Sequence, residues 1–224
     1  MSDSSCRLRK ILFCLLLAVM FFSCAQTSPS VNYSNASVVF DYVNDNDTPS
    51  SRMSVFIDLG SDAHRSEYVR IESLSTGYAW EVYSPLKLES GEKKYTGYTN
   101  FVMPSGELFP QGQYRVIYTD ANNESVESVM NVVYTKDFAD LKDSEAIGLI
   151  KTLGGTQYWA LYDQSDILLY LIEKQGDSSD FENLWNKGSN VFSIREIWMS
   201  QASRTICIMP KKYKSDTQKQ DGGN

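Results

Sequence analysis

From Ala36 to Tyr134 the chain repeats one pattern seven times: a short run rich in β-branched and aromatic side chains, then a cluster of turn formers. The runs are Ser37–Val43, Met53–Leu59, Tyr68–Leu74, Tyr78–Tyr83, Tyr98–Met103, Tyr114–Thr119 and Val126–Tyr134. Between them lie Asn44–Asp47, Gly60–Asp62, Ser75–Gly77, Ser90–Glu92, Pro104–Gly106 and Asp120–Asn123. Successive side chains of a strand point to opposite faces, so short strands of this kind bury a face by stacking one sheet on another. The spacing predicts an antiparallel β-sandwich over residues 36–134. The aromatic content, 14 Tyr, 10 Phe and 4 Trp, suits pleated sheets better than a helical bundle.

The most informative piece is Leu108–Tyr134, LFPQGQYRVIYTDANNESVESVMNVVY. Pro110 and Gly112 close a loop, and Tyr114, Val116 and Tyr118 then alternate with Arg115, Ile117 and Thr119 before a polar hairpin turn. This resembles the closing hairpin of immunoglobulin-like and fibronectin-III-like modules. The resemblance implies that the Tyr114 hydroxyl ties a corner by bonding to nearby backbone, and the disulfide of antibody domains is absent. It is silent on function.

Past Tyr134 the texture changes. Thr135–Gly155 has Phe138, Leu141, Ile147 and Ile150, acids early and a glycine pair at its end, which predicts a helix. Tyr158–Tyr162 and Ile167–Ile172 flank Asp163–Asp166 as a hairpin. Ser179 with Glu182 three residues later is a capping-box pattern for a short helix reaching about Lys187. Val191–Ser200 and Arg204–Met209 read as two more strands. Residues 135–209 are therefore expected to form a small α+β unit of ββαββ order, and residues 210–224 a disordered tail carrying Lys211, Lys212 and Lys214.

The N-terminal segment has its own logic. Arg7, Arg9 and Lys10 precede the twelve apolar residues Ile11–Phe22, a run shorter than the ~20 residues a membrane-spanning helix needs. Positive charge, apolar core and a small-residue boundary make an export signal. Phe21-Phe22-Ser23-Cys24 resembles the lipobox of bacterial lipoproteins, in the looser form seen in spirochaetes: Ser23 and Cys24 fit it, and Phe21 and Phe22 depart from its usual Leu and small residue. The resemblance covers residues 1 to about 25. It implies a signal peptide over 1–23, cleavage before Cys24, and diacylglycerol and palmitate on that cysteine, in preference to a plain secretory signal or an uncleaved anchor. Several acyl chains give stable attachment, since each buried CH₂ contributes ~0.8 kcal/mol. Residues 24–35 are read as the lipidated tether, their composition polar and turn-rich.

Composition then narrows the chemistry. Removing residues 1–23 takes away Arg7, Arg9, Lys10 and Asp3, which moves the net charge from −7 to −9. An acidic body without a basic stripe makes nucleic acid an improbable partner. Of Cys6, Cys14, Cys24 and Cys207, the first two leave with the signal and the third is modified, so Cys207 remains as a single buried thiol in a strand, with Thr205 and Met209 on its side. His64 is the sole histidine and reads as a loop residue rather than a catalytic base. Asp41, Asp45, Asn46 and Asp47 offer oxygen ligands, but an EF-hand loop from Asp45 would need Gly and Glu where Ser50 and Phe56 stand, leaving a solvated turn or, less favoured, a loose calcium site between strands. No carboxylate pair is singled out for glycoside hydrolysis. Tyr78, Trp80 and Val82 share a strand face, followed by Tyr95, Tyr98 and Phe101, and are read as core before groove; Trp159, Trp185 and Trp198 are read likewise.

The expectation is a non-enzymatic, lipid-anchored protein of the bacterial cell membrane or outer membrane, facing away from the cytoplasm, without cofactor or metal. Its partners would be the membrane, through Cys24, and a protein of the envelope or cell surface. The alternative is a small-molecule or glycan-binding lipoprotein with an aromatic-lined site between the two modules.

Overall fold

The computed structural model describes residues 28–60, 65–104, 106–174 and 181–214. The signal segment with Cys24, His64, Ser179 and the tail from residue 215 onward lie outside the described residues. Strands make up 55% of the chain and helices 11%, so the protein is mainly β.

Eight strands occupy the first part: β1 (Val31–Asp41), β2 (Ser50–Leu59), β3 (Ser66–Ser73), β4 (Ala79–Tyr83), β5 (Leu86–Ser90), β6 (Lys93–Phe101), β7 (Gly112–Asp120) and β8 (Ser125–Val132). A 3₁₀ turn (Lys136–Ala139) and α1 (Asp143–Thr152) lead to β9 (Thr156–Tyr162), β10 (Leu168–Glu173), α2 (Phe181–Trp185), β11 (Ser193–Ser200) and β12 (Thr205–Tyr213). They form a curled eight-stranded sheet, ordered β10-β9-β11-β12-β1-β2-β6-β5, and a four-stranded sheet, ordered β4-β3-β7-β8.

Alternation places the core. Tyr114, Val116 and Tyr118 of β7 are all fully buried, as are Val55 and Ile57 of β2. With Val69 and Ile71 of β3 and Val38 and Phe40 of β1 they belong to one apolar cluster between the sheets. Close approach is required at Gly97 of β6, where a Cβ would collide with the Val55 carbonyl oxygen.

The second part continues the large sheet. β12 runs parallel to β1, with Val38 opposite Thr205 and Phe40 opposite Cys207, and every other strand pairing is antiparallel among the described residues. The expected boundary at 134/135 is thus no break in hydrogen bonding: β12 occupies the edge that β1 leaves open beside β2. Helix α1 packs on β11 and β12, adding Ala146 and Ile150 to the cluster that holds Trp198, Cys207 and Met209. It begins where Glu145 accepts from the Lys142 N–H (3.1 Å) and ends at Gly154, whose φ of +68° lets the Gly155 N–H reach the Ile150 carbonyl (2.9 Å). Helix α2 covers a separate cluster of Trp159, Leu161, Leu184, Trp185, Val191 and Ile194.

Four expectations are corrected. β1 begins at Val31, so the tether of 24–35 ends by Ser30; the SNAS segment is held by backbone pairing to β2, with Ala36 its one buried side chain. β5 was not anticipated: all five of its residues are exposed and its ladder to β6 fixes it. The tail of 210–224 starts too early, because β12 passes through Pro210 to Tyr213, at a register shift opposite Arg195 and Ile197. Lys211 and Lys212 are consequently strand residues, and Lys211 pairs with Asp166 at 2.6 Å. Finally, the single helix expected over Thr135–Gly155 is a 3₁₀ turn followed by α1.

Candidate functional site

Cys24 lies outside the described residues; six residues separate it from β1, so the seven steps to Val31 span at most about 25 Å at ~3.3–3.6 Å per residue. Anything attached at that cysteine is therefore close to the start of β1.

The corner expected at Tyr114 is present. Its hydroxyl donates to the Pro110 carbonyl at 2.7 Å, and burial pushes its pKa up to about 12. A second tie lies beside it: the Tyr134 hydroxyl donates to the Phe109 carbonyl at 2.8 Å, again with burial pushing the pKa up to about 12. Sequence reading missed Tyr134 because nothing local shows that the end of β8 folds back on the loop before β7.

The aromatic side chains that could have lined a groove pack on one another. Trp80 lies 5.9 to 6.4 Å, centroid to centroid, from Phe109, Phe101, Tyr114 and Tyr78, and its indole N–H donates to the Val102 carbonyl at 2.8 Å. Tyr98 meets Phe101 edge-on at 5.4 Å. Trp159, Trp185 and Trp198 are buried. Two grooves run along the surface where the two parts of the chain meet. One, of about 610 Å³, is lined by residues such as Ser50, Val102, Met103, Leu108, Ala139 and Asp140; the other, of about 460 Å³, by Asn35, Ser37, Met199, Gln201, Arg204 and Ile206. Neither is lined by an aromatic residue.

The oxygen-rich turn is drawn apart rather than gathered. Asp41 holds Arg195 at 2.6 Å and Arg52 at 3.9 Å, Asp47 accepts from Asn44 at 2.9 Å, and the Asn46 N–H donates to Asp143 at 3.2 Å. Arg195 also donates to the carbonyls of Met209 (2.7 Å) and Tyr42 (2.9 Å), stitching β11 across β12 to β1. Among the described residues no three His, Cys, Asp or Glu side chains converge as a metal site. Cys207 is buried and unpaired with another cysteine; desolvation pushes its thiol up to about 12, far from the thiolate a nucleophile requires.

What remains is surface. On the outer face of the small sheet Tyr68 lies opposite Tyr83 and Arg70 opposite Glu81. The two tyrosine rings are 5.0 Å apart, with Tyr83 70% exposed. Arg70 bonds Glu81 at 2.6 Å and reaches Glu72 at 3.5 Å. Hydrogen bonds from Tyr68 and then Arg70 hold the Glu81 carboxyl below its ordinary range. These cross-strand pairs fix the side chains in place, giving a flat patch of Tyr and Arg, residue types enriched in protein interfaces.

No protein-family model matches the chain, and neither a curated protein nor a solved structure does. Among the described residues no helix is long and apolar enough to cross a membrane.

Proposed function

We propose that the protein is a bacterial lipoprotein, anchored by lipid on Cys24 and facing away from the cytoplasm, that acts without catalysis by holding a protein partner at the envelope. The observation that carries the partner role is the ordered, exposed patch of Tyr68, Tyr83, Arg70 and Glu81. Rigid aromatic rings contribute contact area at low entropic cost, and their charged neighbours set orientation. The short link from Cys24 to β1 keeps the body near the bilayer, so that a modest affinity works at high local concentration.

The scaffold reading is an immunoglobulin-like sandwich extended by a ββαββ segment. It is supported by the order β1-β2-β6-β5 in one sheet and β4-β3-β7-β8 in the other, which corresponds to an ABED and CFG order with one added strand, and by the Tyr114 hydroxyl bond to Pro110, in the manner of a tyrosine corner.

Two measurements test the proposal. Palmitate labelling should mark the wild type and not Cys24→Ser; label retained by the variant defeats the anchor. A photocrosslinking residue at position 83 of the intact protein, in its native cells, should capture one envelope protein, and Arg70→Glu should abolish that capture. Capture unchanged by Arg70→Glu, or none at all, removes the patch as the contact surface.

A further inference from the structure

The two sheets end in four edge strands, and three of them are guarded. β5 carries Lys87 and Glu89. β4 is five residues long, its central Glu81 held by Arg70, and Ser84 at φ +56° turns the chain away. β8 is overlain by β1, whose Ser34 hydroxyl lies 2.9 Å from that of Ser128, and the Asn131 carbonyl accepts from Arg204 at 3.1 Å. Charge, shortness and cover are the ordinary means of stopping edge-to-edge association.

β10 has little of this protection. From Ile167 to Ile172 it contains no charge and no proline. Ile167, Leu168, Tyr170 and Leu171 are 60%, 49%, 43% and 50% exposed. Among the described residues β9 is its one sheet neighbour. Among the described residues its guards are confined to its two ends: Glu173 closes the strand, and a register shift between Leu168 and Tyr170 opens it, past which the strand pairs regularly with β9.

We propose that β10 pairs antiparallel with β10 of a second copy, joining two large sheets across a two-fold axis at Leu171. Residues directly opposite in such a pair must share a sheet face, which confines the axis to a residue of the regular stretch. Tyr170 and Ile172 lie opposite Leu161 and Trp159, on the inner face with the α2 cluster; Leu171 lies opposite Ala160, on the outer face. With the axis at Leu171, that residue meets its own copy outside, and Tyr170 meets Ile172 of the second copy inside, twice. Beyond that triplet Glu173 and Lys174 run towards the register shift of the second copy, between its Leu168 and Tyr170, where regular pairing ends among apolar residues. No like charges meet, although the two bodies are both acidic. An apolar triplet that is its own complement in antiparallel pairing fits a second copy of the same strand better than an unrelated one. The contact is of the small, transient class, below about 1,200 Å².

The test uses the purified full-length chain in detergent at high protein concentration, so that it stands whether or not Cys24 carries lipid. Leu171→Cys should give a disulfide-linked dimer on mild oxidation. Leu88→Cys, on the equally exposed but charged edge strand β5, should not. Leu171→Lys should weaken self-association about tenfold by sedimentation, because it sets two ammonium groups face to face on the axis. Circular dichroism confirms that each variant is folded. Equal dimer from both cysteine variants, no dimer from folded Leu171→Cys, or unchanged sedimentation of Leu171→Lys would overturn the proposal.

Discussion

Residues 31–134 and residues 135–213 are both mostly strand, yet they bury their apolar side chains by different means. In the first, two sheets pack their apolar faces together with aromatic rings from both, Trp80 lying against Phe101, Phe109 and Tyr114. In the second, a single sheet is covered on its inner face by α1 and α2, and its last strand is left with an open edge. The difference teaches where independence ends. The part under α1 belongs to the same cluster as the first part, joined through Phe138, Trp198, Cys207 and Met209. The part under α2 is a cluster of its own. Stability should therefore divide between the α2 cluster and everything else, rather than between 134 and 135.

The largest effect tests that division directly. A chain ending after Tyr134 would lose β12 from the open edge of β1 and Phe138 from beneath Phe40, whose rings are 5.6 Å apart. It is expected to give no cooperative thermal transition and to aggregate through the bared edge. A sharp transition in that fragment would re-establish two separate modules.

Next come paired core truncations. Phe40→Ala, at a fully buried site, should cost about 3–5 kcal/mol and lower the stability of both parts together, since the ring also lies 6.0 Å from Tyr134. Leu161→Ala, equally buried but in the α2 cluster, should cost about 2–5 kcal/mol locally. Native-state hydrogen exchange would show faster opening of β9 and β10 in this variant, with β2 and β7 unchanged. Uniform acceleration across all strands would deny the division.

Arg195→Ala is expected to be smaller, about 2–3 kcal/mol by urea unfolding. It removes the side chain that ties β11 to Asp41 and to three carbonyls, and leaves Asp41 with Arg52 at 3.9 Å. Because it lies outside both apolar clusters, its loss should loosen β11 and β12 before the small sheet.

How much of this could be read from the residues follows from what each element depends on. β3 and β7 announce themselves, because the buried Val69 and Ile71, and Tyr114, Val116 and Tyr118, alternate with neighbours that are mostly half-buried. In the second part β9, β10, β11 and β12 overlap the runs read as strands, but they extend the large sheet beside β1, which no local pattern shows. β5 was not legible: no side chain in it is buried, so no pattern marks it, and only its pairing partner does. The parallel contact of β1 with β12 was hidden for another reason. It brings Val38 against Thr205, and neither run carries a local signal of the other. Pro210 was read as a stop because it cannot donate to a ladder, but at a register shift it need not. The proposed contact surface was the most thinly encoded: Tyr68 and Tyr83 become neighbours only when β3 and β4 pair.

The smallest effect isolates one corner. Tyr114→Phe removes the hydroxyl that donates to Pro110 and keeps the ring, so it should cost about 1 kcal/mol at neutral pH. Its pH dependence separates this corner from ordinary packing. In the wild type the buried phenol ionises only near 12, whereas in the unfolded chain it ionises near 10. Between those values the unfolded state binds fewer protons than the folded one, so wild-type stability falls as pH rises from about 10 to about 12. Tyr134 behaves in the same way, and Cys207, with its pKa raised from 9 to about 12, begins to contribute from pH 9. Tyr114→Phe lacks one of these groups and loses less. Urea unfolding at neutral pH and near pH 11 should show the deficit of the variant shrinking at the higher pH. A deficit that stays constant would mean that the phenol is not held neutral by burial, and that the corner contributes packing alone.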